Sequence, residues 1–138
     1  LTVSTDKPVY QLGEYVTISV TAYNPNPEPV TLSFWSHIAT YIIDDTFDSA
    51  NNPSFPVVTY QTIQPNTSFT WNTLHGYWNM QEYPLYIGVH TLVGQLWAVE
   101  LGENNTTLPV QFEVIPEPSS ILLFCTGMIL AGKKLIRQ

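Results

Sequence analysis

The feature that most constrains this chain is a strict alternation of apolar and polar residues between Tyr15 and Tyr23. The apolar positions recur at every second residue, at Val16, Ile18, Val20 and Ala22. Because successive side chains of a β-strand point to opposite faces, this pattern predicts a strand with one buried and one solvent-facing side. No stretch before Pro116 shows the spacing of three and four residues that an amphipathic helix requires.

Similar short runs, rich in β-branched and aromatic residues, recur up to Ile115 and predict further strands. The predicted strands are a run resuming at Val30, Leu32 and Phe34, and the ranges 40–43, 57–63, 68–74, 89–99 and 108–115, with a loop at 48–56. The three prolines of 24–29 predict a hairpin-type connection after Tyr23. The absence of βαβ spacing predicts an all-β, immunoglobulin-like antiparallel β-sandwich over residues 1–115, with a closed barrel as the alternative.

Charge divides the chain into two parts. Residues 1–115 contain ten carboxylates and a single base, Lys7, whereas three of the four basic residues lie near the C-terminus. An acidic body repels phosphate backbones, so this distribution argues against nucleic-acid binding. Neutral or cationic partners fit the body better.

The sequence changes character after Ile115. Three residues, Pro116, Glu117 and Pro118, precede an apolar stretch at 121–132 and a basic cluster of Lys133, Lys134 and Arg137. The prolines end the last strand, and the apolar stretch predicts one short C-terminal hydrophobic helix. Residues 119–132 would span about 20 Å as a helix, less than the ~30 Å hydrocarbon core, and snorkelling lysines would compensate. The positive-inside rule places the C-terminus in the cytoplasm and residues 1–115 outside the inner membrane.

In order and spacing, the segment 116–138 resembles the PEP-CTERM sorting signal. The resemblance implies an exported bacterial protein whose Pro116, Glu117 and Pro118 are recognised by an exosortase, a membrane-embedded thiol enzyme that cleaves near the motif. It implies a transient stay in the inner membrane, followed by display on the cell surface, in the outer envelope or in an extracellular biofilm matrix. The basic cluster is interrupted by two apolar residues, unlike the arginine run of the family. A plain membrane anchor is the alternative.

Residues 1–115 resemble the BsuPI family of proteinase-inhibitor-like domains. The matching segments are 7–10 with 13–14, then 16–24, 28–34, 41–45 and 88–94, and they carry the strand and turn pattern of that family. The resemblance implies an immunoglobulin-like scaffold, and it suggests an extracytoplasmic protease inhibitor as an alternative function. No reactive loop is carried over, and the region 44–88 departs most from the family.

That divergent region is rich in aromatic residues, including Trp71, Tyr77, Trp78, Tyr83 and Tyr86. Flat rings stack on sugar faces, so Trp71, Trp78 and Trp97 are candidate glycan-stacking residues, and polysaccharide binding is a second alternative function. The opposing interpretation is that large aromatic side chains fill the core. Solvent exposure of the rings would distinguish the two.

Signals for metal binding and catalysis are weak. Asp44, Asp45, Asp48 and Asn51 are oxygen ligands close in sequence, but they lack the glycine of a calcium loop and fit a solvated turn that caps its own backbone. His37, His75 and His90 show no HExxH spacing, and the lone Cys125 lies in the apolar tail. We therefore expect structural histidines, no metal, no cofactor and no enzymatic activity.

Overall fold

A computed structural model describes residues 1–52, 56–76 and 83–118, and within these ranges the chain forms ten β-strands and two short 3-10 helices. The strands are β1 (Thr2–Thr5), β2 (Val9–Gln11), β3 (Val16–Tyr23), β4 (Val30–Phe34), β5 (Ala39–Ile43), β6 (Phe47–Asp48), β7 (Thr59–Ile63), β8 (Ser68–His75), β9 (Gly88–Leu96) and β10 (Val110–Ile115). The 3-10 helices are Ser49–Asn51 and Val99–Leu101. The all-β prediction is confirmed. The predicted C-terminal helix and the basic cluster lie outside the described residues.

The strands form three sheets. One has the order β1-β3-β8, a second has the order β2-β10-β9-β5-β6, and a third is the pair β4-β7. Strand neighbours are antiparallel except β2 and β10, which run parallel with Tyr10 opposite Val114. The last strand of the domain is therefore held between β2 on one side and β9 on the other.

Buried apolar residues from all three sheets form one core cluster. The predicted alternation of β3 is confirmed, because its four apolar residues are buried and the residues between them are only partly buried. Burying each such side chain contributes on the order of 1.5–3 kcal/mol. At Gly94 in β9, an added Cβ would lie 3.0 Å from the side chains of Val3 and Val20, so glycine allows β9 to approach β1 and β3 closely.

The connection 24–29 is not a hairpin, contrary to the sequence-based prediction. β3 pairs with β1 and β8, whereas β4 pairs with β7 in a separate sheet. Prolines correctly marked the end of β3, because they remove backbone donors, but they do not determine which strand pairs with the next one. The chain instead turns a corner, and β7 and β8 turn the same corner through residues 64–67.

Asn24 holds this corner together. Its backbone N–H donates to Thr67 and its carbonyl accepts from Asn66. Its side-chain Nδ2 donates to the carbonyls of Glu28 and Ile63 at 2.9 and 3.0 Å, and Oδ1 accepts from the N–H of Asn26 at 3.0 Å. The residue is buried, so these bonds satisfy backbone groups that water cannot reach.

The shortest elements escaped prediction. β1, β2 and β6 have two to four residues, too few to show a periodic pattern. The strand predicted at 89–99 ends at Leu96, before the 3-10 helix. Asp44 and Asp45 both have a φ of 53° and belong to the three-residue connection 44–46 between β5 and β6, which is closed by the Thr46 N–H to Ile43 carbonyl bond of 3.0 Å.

Replacing Asn24 with alanine should lower the free energy of unfolding by about 2–4 kcal/mol, because three hydrogen bonds are lost and two carbonyls are left without their amide donor. Urea unfolding followed by far-UV circular dichroism measures the change. The matched control is Asn72→Ala, which removes one exposed bond to Ser19 and should change stability by less than about 1 kcal/mol. An equal decrease in the free energy of unfolding for the two variants would contradict the role of the Asn24 side chain in the corner.

Candidate functional site

A cleft of about 370 Å³ opens at the end of the domain where β2 ends and β3 begins. Its walls are the turn 12–15, the end of β8 at His75 and Gly76, and the segment 83–85. The lining is mostly apolar, and the volume falls within the range of small-molecule sites. Ile115 ends β10 beside this cleft, since its carbonyl accepts from the N–H of Leu12.

One wall of the cleft is made by the ring of Tyr15, which lies against the backbone of Gly76. An added Cβ at Gly76 would overlap that ring, so glycine is needed for the close approach. The register of β3 and β8 explains the contact, because Val16 pairs with His75 and so brings the residues just beyond them together. Tyr15 remains about half exposed at the rim.

The buried His75 forms the floor of the cleft. Its Nδ1 lies 2.8 Å from the hydroxyl of Tyr41, and its Nε2 lies 2.9 Å from the carbonyl oxygen of Tyr83. A carbonyl only accepts, so Nε2–H donates to Tyr83 and Nδ1 accepts from the Tyr41 hydroxyl. His75 is therefore assigned as a neutral imidazole. Burial lowers its pKa, outweighing the bond to the Tyr83 carbonyl, which raises it.

A second buried histidine, His90 in β9, has a different set of partners. Its Nδ1 lies 2.6 Å from Oδ2 of Asp44, and its Nε2 lies 2.7 Å from the carbonyl of Tyr86. His90 therefore lies between a carboxylate and a carbonyl oxygen, which are both groups that accept hydrogen bonds. The other oxygen of Asp44 accepts from the N–H of Thr91 at 2.9 Å.

The two histidines hold one short segment. His75 belongs to the three-stranded sheet and His90 to the five-stranded sheet, yet both bond to carbonyls between Tyr83 and Tyr86. Tyr83 also stacks on Phe47 with ring centroids 5.5 Å apart. Both ring nitrogens of His75 and of His90 are hydrogen-bonded within the fold. His37 packs its ring 5.9 Å from that of Trp97.

Two of the acidic residues considered as calcium ligands are hydrogen-bonded within the fold. Asp48 accepts the N–H of Ala50 at 2.9 Å and caps the first 3-10 helix, which is the local backbone capping that the sequence predicted. Asp44 instead bonds to His90 and to the N–H of Thr91, which are remote in sequence. Within the described ranges, no group of three His, Cys, Asp or Glu residues is arranged to hold a metal ion.

The three residues predicted to be a sorting motif, 116–118, directly follow β10. Pro116 is partly buried, whereas Glu117 and Pro118 are exposed. The bond between Leu12 and Ile115 is the last that holds the strand before the motif. In the part of the chain that is described, no helix is long and apolar enough to cross a membrane.

The tryptophans have different environments. Trp71 packs against the core, with ring centroids 4.7 Å from Phe69 and 5.7 Å from Phe34. Trp97 is partly exposed, and its indole N–H donates to the Thr40 hydroxyl at 2.7 Å. Trp78 lies outside the described residues, as does Tyr77. The core-filling interpretation therefore holds for Trp71.

Two exposed rings were overlooked in the sequence. Trp35, which follows β4, is 67% exposed, and Tyr60 in β7 is 69% exposed. Tyr60 pairs with Ser33, whose backbone N–H donates to the carboxylate of Glu100 at 2.8 Å. The alternation of β4 predicts the exposure of Trp35, because Leu32 and Phe34 point inward and the odd-numbered positions beside them point outward.

Comparisons with known proteins identify no relative. No family model matches the sequence, and no curated protein is similar enough to count as one. Among solved structures, the alkylpurine DNA glycosylase AlkC of Pseudomonas fluorescens bound to DNA aligns with 82% of this chain and 29% of its own, at 17% identity and a TM-score of 0.48. A β-glucosidase of Listeria innocua in complex with glucose aligns with 82% of this chain and 16% of its own, at 17% identity and a TM-score of 0.40. Similarities this weak identify neither a family nor an activity.

The environment of His75 predicts a pH-dependent stability. Because its pKa is lowered in the folded state, the unfolded chain takes up a proton first, and the free energy of unfolding should fall as pH drops from about 7 through 6.5 toward 5. His75→Gln should flatten this part of the profile, measured by urea unfolding at several pH values. The pKa values of Asp6 and Glu100 are lowered by hydrogen bonds to Tyr10 and Ser33, respectively. These two carboxyl groups therefore change the free energy of unfolding only nearer pH 4.

The control for this measurement is Asn72→Gln, an exposed change three residues earlier on β8. It adds no titrating group and should keep the wild-type slope between pH 7 and 5. Parallel profiles for the wild type and His75→Gln would show that the buried imidazole does not set this pH dependence.

Proposed function

We propose that this chain is an exported, non-catalytic protein of the bacterial cell envelope or extracellular matrix, sorted by an exosortase that acts at Pro116, Glu117 and Pro118. The observation that carries the proposal is the exposure of Glu117 and Pro118 immediately beyond the last strand. A membrane enzyme acting in trans needs its substrate peptide outside the folded domain. The motif meets that requirement without any unfolding of β10.

The charge distribution supports the same proposal. An acidic domain with Lys7 as its one base would stay outside the inner membrane, and the basic cluster of the tail would stay in the cytoplasm. The apolar stretch between them would hold the protein in the membrane until it is processed. If the tail were a plain membrane anchor, the topology would be the same but the tail would not be cleaved.

For the domain itself, we propose an immunoglobulin-like β-sandwich of BsuPI type. The two larger sheets share one core, and the parallel pairing of the short β2 with the last strand is compatible with such a scaffold. Protease inhibition would require an extended reactive loop, and none of the described contacts favours one. An extracytoplasmic protease inhibitor is the alternative function that the BsuPI resemblance suggests.

We propose no catalytic activity because of the hydrogen bonds that His75 and His90 make. Both ring nitrogens of His75 and of His90 are engaged with protein groups, and three of the four bonds are shorter than 2.9 Å. A general base needs one nitrogen facing its substrate. Either imidazole would have to give up a buried bond to serve as one.

A second candidate function, binding of a neutral polysaccharide, is favoured by the exposed rings at the end of the domain opposite the cleft. Trp35 and Tyr60 present most of their surface to solvent, and the Thr40 hydroxyl fixes the indole of Trp97. Rings held in this way are suited to stacking on sugar faces. The acidic body favours a neutral polymer over an anionic one.

The sorting proposal predicts a mass difference. In a host that carries its own exosortase, the wild-type protein recovered from the envelope should lack the mass of the tail, whereas Glu117→Ala should retain it, as measured by intact-mass spectrometry. Glu103→Ala, another exposed acid, is the control and should be processed like the wild type. An intact tail in all three proteins would reduce the segment to an ordinary anchor.

The polysaccharide proposal predicts retarded migration in gels containing a soluble neutral polysaccharide such as hydroxyethylcellulose. Tyr60→Ala should weaken the binding by about fivefold, because an aromatic contact contributes ~1 kcal/mol. Tyr86→Ala is the control, since Tyr86 is similarly exposed (59%) but lies at the cleft end. Equal retardation of the two variants, or none for the wild type, would exclude these rings as the sugar-binding surface.

A further inference from the structure

Exposed apolar side chains gather at the end of the domain from which the tail leaves. Leu12 is 40% exposed, Tyr15 46%, Tyr86 59% and Ile87 52%. Strand pairing brings them together, because Gln11 lies opposite Ile115 and Gly88 lies opposite Val114. We refer to these four residues as the tail-side surface.

Sheet positions next to the tail-side surface extend it. Val9 and Val89 lie on either side of Glu113 in the five-stranded sheet and are both exposed. Scattered exposed apolar residues are normal, but Val9 and Val89 both flank the strand that leads to the tail.

Two carboxylates near this end have partners. Glu14 accepts a bond from Nζ of Lys7 at 2.9 Å, and that lysine is the one base of residues 1–115. Asp44 is bonded to His90. Three other acids, Asp45, Glu113 and Glu117, are exposed, and they disfavour an anionic lipid surface and favour a zwitterionic one.

The tail begins close to this surface. Five residues, 116–120, separate β10 from the apolar stretch that starts at Ile121. At about 3.3–3.6 Å per residue they span at most about 18 Å, so a tail inserted in a bilayer would hold this end of the domain near the headgroups. Tyrosines and aliphatic side chains are favoured in that interfacial region.

We propose that the tail-side surface rests on the lipid headgroup region of a zwitterionic bilayer while the tail is inserted. This inference depends on the proposed function, because only an inserted tail orients the domain in this way. The cleft would then open toward the membrane, and the exposed rings Trp35 and Tyr60 would face away from it. Contact with the bilayer would also keep the sorting motif beside the membrane-embedded enzyme.

Depth-dependent quenching tests the inference on the full chain in phosphatidylcholine vesicles that contain spin-labelled lipids. An environment-sensitive fluorophore is attached to one cysteine at a time. The native Cys125 reports on insertion of the tail. In a Cys125→Ser background, Ile87→Cys reports on the tail-side surface, and Val99→Cys is the matched control at the opposite end, with 60% exposure against 52% for Ile87. Leu12→Cys provides a second probe of the surface, and circular dichroism verifies folding.

We expect strong quenching at position 125, quenching at 87 and 12 at least twofold greater than at 99, and a blue shift at 87 and 12 only with vesicles. Quenching at 125 with equal quenching at 87, 12 and 99 would overturn the surface inference and leave the sorting proposal standing. No quenching at 125 would overturn the inserted tail itself. A blue shift at 87 without vesicles would assign the surface to the tail or to a second copy, and would also overturn the bilayer as its partner.

Discussion

The side-chain amide of Asn24 is the interaction on which the course of the chain depends. Three prolines within 24–29 deprive the corner of backbone donors, and the buried amide supplies hydrogen bonds to two of the carbonyls there. With the corner fixed, β3 and β8 stay in one sheet while β4 and β7 form another, and all of them contribute to the same core. A strand pair that continued straight would leave Leu32 and Phe34 without that core.

The cleft end is organised by polar groups in an apolar setting. His75 and His90 are both buried, yet their Nδ1 atoms have different partners, a tyrosine hydroxyl in one case and the carboxylate of Asp44 in the other. Through their Nε2 atoms, the two residues connect both larger sheets to the segment between Tyr83 and Tyr86. That segment forms part of the cleft wall and adjoins the tail-side surface.

Much of this fold was predictable from alternation alone, and the failures have physical causes. The eight residues of β3 display a full period, whereas the two residues of β6 cannot. Prolines predict where a strand stops, but pairing depends on distant segments, so the hairpin prediction at 24–29 was wrong. Alternation places Trp35 on the solvent side, whereas the contact of Trp71 with Phe34 comes from a segment distant in sequence. The partners of His75 and His90 come from segments remote in sequence, and no local pattern identifies them.

The parallel pairing of β2 with β10 has a mechanical consequence. The strand that leads into the tail is not at the edge of its sheet but lies between β2 and β9, hydrogen-bonded on both sides. A force on the C-terminal end acts along the axis of β10, whereas the backbone hydrogen bonds to β2 and β9 run across that axis. The two rows of hydrogen bonds must therefore break together by shear and cannot open one bond at a time. A load applied to the end of β10 is thereby carried by backbone bonds in the interior of the sheet, not by a strand at its edge.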